Sequence, residues 1–215
     1  MTATTLRPTT VGDRPRWLVA LDLAAVLLLS VEGGMMAVEA GFGLAGVLAV
    51  AFVSSLGGGL VRDLVVQRHP PAALGSVVYP ATALGGGLVA AFAHEPLAVL
   101  LPGTRAPFDA AALGLLCVAG AIIALDRHMS TLGAVLLGTV SAVGGGAIRD
   151  LLTGSLPVVL RHDVGAVATA LGATVTVAAL RCNAPRPVAA ALGVVTCAAL
   201  SLVATYLGWR LPPLT

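Results

Sequence analysis

The chain has 215 residues, of which 58% are hydrophobic and 10% charged, and its net charge is +2. Soluble globular domains carry about a quarter charged residues, so with a mean hydropathy of +0.99 that class is excluded, and the absence of a basic tract argues against a nucleic-acid partner. The apolar runs are long and lack alternation of period two, which points to membrane-crossing helices of about 20 residues rather than a β-barrel.

In chain order, residues 1–16, MTATTLRPTTVGDRPR, are rich in Thr and Pro and read as a disordered tail. The apolar segment from Trp17 is too long for a cleavable signal peptide and has no evident cleavage site. Seven spans are expected, at 17–38, 43–66, 72–93, 108–125, 131–152, 158–180 and 188–208. The longest connector is HEPLAVLLPGTRAP at 94–107.

Sliding the chain against itself reveals a repeat. At an offset of 87 residues, Asp22 falls on Asp109, Gly33 on Gly120, Glu39 on Asp126, Gly46 on Gly133 and Ser54 on Ser141. GGGLVRD at 57–63 falls on GGGAIRD at 144–150, and Pro70 on Pro157. Three spans per copy is an odd number, so the copies must enter the membrane in opposite directions. The expected fold is therefore all-α and integral to the membrane. Its seven transmembrane helices form an inverted 3+3 repeat, residues 17–93 and 108–181, with an extra C-terminal helix at 188–208.

The repeated motif is physically costly. A helix-interior glycine is less favourable than Ala by about 1 kcal/mol, so three in a row favour a bend or an unwound turn. An Arg near the bilayer centre costs about 2.5–3.5 kcal/mol even on the lenient insertion scale. Glycine triplets also serve close helix packing, which is the reading for Gly85, Gly86 and Gly87, where no charge follows. Snorkelling of Arg62 and Arg149 to headgroups is the alternative to a buried role. Helix neighbours do not face one another, so Arg62 is expected to pair with Asp150 or another acid of the second copy, and Arg149 with Asp63 or another acid of the first.

Other acids are candidates for attracting ions. Asp22 and Asp109 lie in the first turns of their spans, where a helix N-terminus also favours negative charge. Glu39 and Asp126 end the same helices. Glu32 matches Ala119 in the second copy, and if buried is a candidate cation or proton site. Cys117, Cys182 and Cys197 show neither metal-ligand spacing nor an obvious disulfide. His69, His94, His128 and His162 all lie near span ends and form no Cys/His cluster. No phosphate-binding loop is present, and an enzyme is not expected.

The doubled GGGxxRD motif, the three-plus-three repeat and the seventh helix resemble prokaryotic members of the trimeric intracellular cation channel (TRIC) family, whose bacterial domain is also called a glycine transporter domain. The resemblance runs from Trp17 to Leu207 and includes SVEGGMMAVEAG at 30–41 and FDAAALGLLCVAGAIIALD at 108–126. It departs from the family pattern at DLAAV, where Asp-x-x-Gly is more usual, and at Gly114, which falls one position late.

This resemblance implies a homotrimer in a prokaryotic inner membrane, each protomer with its own pore for K⁺ and Na⁺. Spans two and five would form that pore, kinked at Gly57, Gly58, Gly59, Gly144, Gly145 and Gly146. Arg62, Asp63, Arg149 and Asp150 would be the charged set, with Ser54 and Ser141 either offering hydroxyls to the ion or back-bonding to their own helices. The animal members carry a Lys-Glu-Val signature and bind a phosphoinositide. This chain lacks that signature and has no lysine, so no phosphoinositide and no other cofactor is expected. A secondary transporter for a small zwitterion such as glycine is the alternative, because broken inverted repeats suit that role equally and Arg and Asp could hold a carboxylate and an amine. Arg7, Arg14, Arg16, Arg68, Arg127, Arg181 and Arg186 on the N-terminal side favour a cytoplasmic N-terminus by the positive-inside rule, opposite to the placement in the animal members.

Overall fold

A computed structural model describes residues 15–68, 70–100, 105–157 and 164–208. Among them eight helices follow one another: α1 (Arg16–Glu39), α2 (Leu44–Val65), α3 (Ala72–Gly75), α4 (Val78–Leu100), α5 (Arg105–Asp126), α6 (Thr131–Leu152), α7 (Val164–Arg181) and α8 (Arg186–Leu207). Six of these, α1, α2 and α5 to α8, are long and apolar enough to cross a membrane, and α4 matches them in length at 23 residues.

Helix ends show how the sequence sets the turns. After α1, α2, α5, α6 and α7 the chain places one residue in the left-handed region, at Gly41, Gln67, His128, Gly154 and Asn183. In each case the next N–H reaches back to a carbonyl of the last turn: Phe42 to Ala37, Arg68 to Asp63, Met129 to Ala124, Ser155 to Asp150 and Ala184 to Ala179. This reversal satisfies carbonyls that a helix C-terminus leaves open. Positions 41 and 128, and 67 and 154, are each 87 apart, so the duplication extends to its turns. At the other end, Ser130 caps α6 by accepting the Gly133 N–H.

Two three-helix groups result. Helices α1, α2 and α4 pack on one another, as do α5, α6 and α7. The groups meet through α2 with α6 and α1 with α5, and α8 lies along α7 and α5. Lipid supplies no hydrophobic drive between helices, so small residues that admit close backbones dominate these contacts. Gly86 sits against Ser30 and Leu27, and Gly87 against Ala51 and Leu48, which makes the third triplet the seam of α4 on α1 and α2. Gly172 and Gly193 do the same between α7 and α8.

Several expected boundaries move. The span expected at 72–93 is split into α3 and α4, with Ser76 extended between them. Pro80 gives the reason, since a continuous helix would drive its ring into the carbonyl four residues back, at Ser76. The expected connector 94–107 is largely helical, because α4 carries on to Leu100 and α5 starts at Arg105. Residues 158–163 of the sixth expected span, His69, His162 and the tail through residue 14 lie outside the described residues.

Candidate functional site: a glycine crossing between two arginine clusters

The glycine triplets do not unwind their helices. Both α2 and α6 run unbroken through them, so the expected unwound turn is absent and the glycines serve contact instead. A Cβ at Gly58 would strike the carbonyl oxygen of Ser141, and one at Gly145 would strike that of Ser54. These contacts are reciprocal at the repeat offset, as a two-fold relation requires. Residues 54 and 58 of α2 meet 145 and 141 of α6, so the two helices cross antiparallel with their backbones touching. Ser54 and Ser141 are fully buried there. Ser54 bonds to the carbonyls of Ala51 and Leu29, whereas the Ser141 hydroxyl has no partner.

Each arginine lies four residues beyond its central glycine, about 6 Å along the helix. Because the crossing is antiparallel, Arg62 and Arg149 lie on opposite sides of it. Arg62 is 1% exposed. Its Nη1 and Nη2 donate to the two carboxylate oxygens of Asp22 at 2.8 and 3.0 Å, and its Nε donates to Asp63 at 3.1 Å. Tyr79 donates to Asp22 at 3.0 Å, and the Ala72 N–H to Asp63 at 2.8 Å. All four carboxylate oxygens are bonded, as a buried charge requires. Beside this network, Asp22, Arg62, Asp63, Tyr79 and Gly59 line a small cleft. Arg68 lies 3.9 Å from Asp63.

The second cluster is built differently. Arg149 Nη1 lies 2.7 Å from Glu32 Oε1 and 3.9 Å from Asp109, and Nε donates to Asp150 at 3.1 Å. Glu32 and Arg149 are buried, while the Asp109 side chain is 39% exposed. Neither Glu32 Oε2 nor Arg149 Nη1 makes a hydrogen bond. The Glu32 contact is therefore close but poorly aligned.

These positions correct some expectations. Arg62 does not reach the second copy; it pairs with Asp22 and Asp63 of its own. Asp22 is buried and bonded by two side chains rather than capping a helix. Arg149 does reach the first copy, through Glu32. Asp126 lies at a surface and pairs with Arg186 at 2.7 Å, while Glu39 is exposed at the end of α1. The three cysteines are free.

Two features of the network escaped the sequence reading. A helical hairpin places residues equidistant from its turn at the same depth; the α1–α2 turn is centred near 42, which pairs 22 with 62, and the α5–α6 turn near 129 pairs 109 with 149. Tyr79 was the other omission, although a buried tyrosine hydroxyl needs a partner.

Comparison with known proteins places this arrangement. The sequence model of the Glycine transporter family matches residues 19–95 and 107–181. The chain belongs to this family. It is similar to the UPF0126 membrane protein of Deinococcus radiodurans, 38% identical over 175 residues, 80% of each chain. It is also similar to the UPF0126 inner membrane protein YadS of Escherichia coli K12, 28% identical over 200 residues, 89% of this chain and 93% of the other. Among solved structures, it resembles a chain from work on the structural basis for conductance through TRIC cation channels, with 29% identity and a TM-score of 0.83 over 92% of this chain and 97% of that one. The TRIC trimeric intracellular cation channel orthologue from Rhodobacter sphaeroides gives 30% identity and a TM-score of 0.83 over 91% and 100%. The glycine transporter family is thus one of multi-pass membrane proteins and not of enzymes, in keeping with the six long apolar helices.

Proposed function

We propose that this protein is a passive channel for monovalent cations, K⁺ and Na⁺, in a bacterial inner membrane. Each protomer of a homotrimer would carry one pore, and α4 would be a seventh crossing in an inverted 3+3 repeat followed by α8. The observation that carries this reading is the antiparallel crossing of α2 and α6 between two buried arginine–carboxylate clusters, in a fold shared with TRIC cation channels. The path would run along the crossing, past Ser54 and Ser141, and conduct when the backbones at Gly58 and Gly145 separate. In the arrangement described here the crossing is sealed by backbone contact. No cofactor is required, and the chain offers no lysine for a phosphoinositide.

Transport of a small zwitterion such as glycine is the second reading, favoured by the description of the family. The Arg62 cluster gives it no support, because both Asp22 and Asp63 are saturated by protein donors and leave no group there for a substrate amine. Purified protein in liposomes separates the two. Potential-driven K⁺ movement without added solute is expected, and saturable glycine uptake without conductance would overturn the channel. Replacing Gly58 and Gly145 with Leu is expected to change conduction; unchanged currents would place the pore elsewhere.

A further inference from the structure

The two clusters are related by the repeat but are not equivalent in charge. Within ion-pair distance, Arg62 and Arg68 face the two carboxylates of Asp22 and Asp63. Among the described residues Arg149 faces three, from Glu32, Asp109 and Asp150. The surplus is two charges: one arises from Glu32, which the repeat matches to Ala119, and one from Arg68, which it matches to Ser155. Glu32 is 6% exposed, yet its Oε2 has no hydrogen-bond partner, and an unsatisfied carboxylate oxygen at such depth is costly unless a proton or a cation visits it. Asp109, its neighbour across Arg149, is partly open. Among the described residues no three acids or histidines gather closely enough to hold a metal ion, so a chelated divalent ion does not fit. A single exchangeable monovalent cation does.

We propose that the Glu32 carboxylate, flanked by Asp109, is a binding site for the permeating monovalent cation at this mouth, and that the Arg149 guanidinium is a tethered competitor for it. This rests on the channel reading. Its poorly aligned contact with Glu32 lets Arg149 leave Glu32 for Asp109 while its Nε stays on Asp150, and K⁺ or Na⁺ then takes the Glu32 oxygens. At the opposite mouth the aligned two-bond pairing of Arg62 with Asp22 and the equal charge count leave no such vacancy.

Thermal unfolding of the purified full chain in detergent tests this, comparing KCl with N-methyl-D-glucamine chloride at equal ionic strength. Wild type is expected to be stabilised specifically by K⁺. Arg149→Gln is expected to lower the half-saturating K⁺ concentration by about tenfold, as removing a competitor that holds the site nine-tenths of the time would. Glu32→Gln is expected to abolish the K⁺-specific shift, while Glu39→Gln, at the exposed end of the same helix, keeps it. If Glu32→Gln does not fold, the Glu32→Gln/Arg149→Gln pair, neutral at both positions, takes its place. Equal stabilisation by the two salts in both wild type and Arg149→Gln overturns the site, whatever the flux. A K⁺-specific shift lost in Glu32→Gln, in protein that carries no K⁺ flux in liposomes, upholds the site and overturns only the channel reading.

Discussion

Within each repeated triplet, the second and third glycines should respond to Ala with opposite sign. At Gly58 the new methyl would overlap the Ser141 carbonyl oxygen and lie 3.4 Å from the Gly145 nitrogen. Backbone atoms cannot step aside, so α2 and α6 must separate by about 1 Å, a gap that forfeits a quarter to a half of each contact's attraction along the seam. Overpacking of this kind costs about 1–3 kcal/mol. The helix gains about 1 kcal/mol from replacing glycine, so Gly58→Ala is expected to be destabilising by about 0–2 kcal/mol net. At Gly59 the methyl would meet only Arg62 Nη2 at 3.6 Å, an ordinary contact, and the helix gain remains. Gly145→Ala and Gly146→Ala should repeat the split, because Gly145 meets the Ser54 carbonyl and Gly146 meets only Arg149 Nη2 at 3.6 Å. One widening relieves both overlaps, so the Gly58→Ala/Gly145→Ala double variant should lose less than the sum of the singles. Thermal unfolding in detergent measures each difference. Equal losses at Gly58 and Gly59, or strict additivity of the double, would refute the crossing.

The third triplet should divide in the same way, Gly85→Ala being tolerated in open space and Gly86→Ala lowering the melting temperature through Ser30 and Leu27. Removing one partner of a buried pair costs about 3–5 kcal/mol, so Asp22→Asn should greatly reduce folded yield. Tyr79→Phe, which removes one charge-assisted bond, should cost about 1.5–3 kcal/mol; a double-mutant cycle showing no coupling between Tyr79 and Asp22 would be inconsistent with the network. The Asp126–Arg186 pair is half exposed, and by the usual worth of such pairs Asp126→Asn should cost under about 1 kcal/mol and be insensitive to added salt only if the pair contributes nothing.

The duplication was legible because it is written in residue identity: glycines, acids and Arg-Asp pairs recur at one offset, and charges in an apolar chain stand out. Burial of Arg62 and Arg149 did not follow from their positions, because both lie in the last turn of their helices, where snorkelling is the alternative. The partners were harder, since they depend on which helices touch. Hairpin arithmetic would have supplied Asp22 for Arg62, but at Arg149 the hairpin partner Asp109 is held off at 3.9 Å while Glu32 of the other copy stands at 2.7 Å. That preference is set by the α1–α6 approach, which no local pattern records. Of the two readings of GGG, the unwound turn failed, because helix propensity is a small term beside the close backbone contact that glycine permits.

The unequal clusters imply a channel whose two mouths differ although its two halves descend from one sequence. At an effective permittivity near 20, one uncompensated carboxylate attracts a monovalent cation 4 Å away by about 4 kcal/mol. The Glu32 mouth carries a surplus of two, three carboxylates against one guanidinium, whereas the Arg62 mouth has equal numbers of guanidinium and carboxylate groups. Cations should therefore accumulate at one mouth only, and currents through protein inserted in a single orientation should rectify at low salt. Screening at about 1 M salt shortens the Debye length to about 3 Å and should weaken the rectification. Glu32→Gln halves the surplus where the repeat already has Ala119, and so should make the current–voltage curve more symmetric; rectification that survives this change undiminished would place its origin outside the Arg149 cluster.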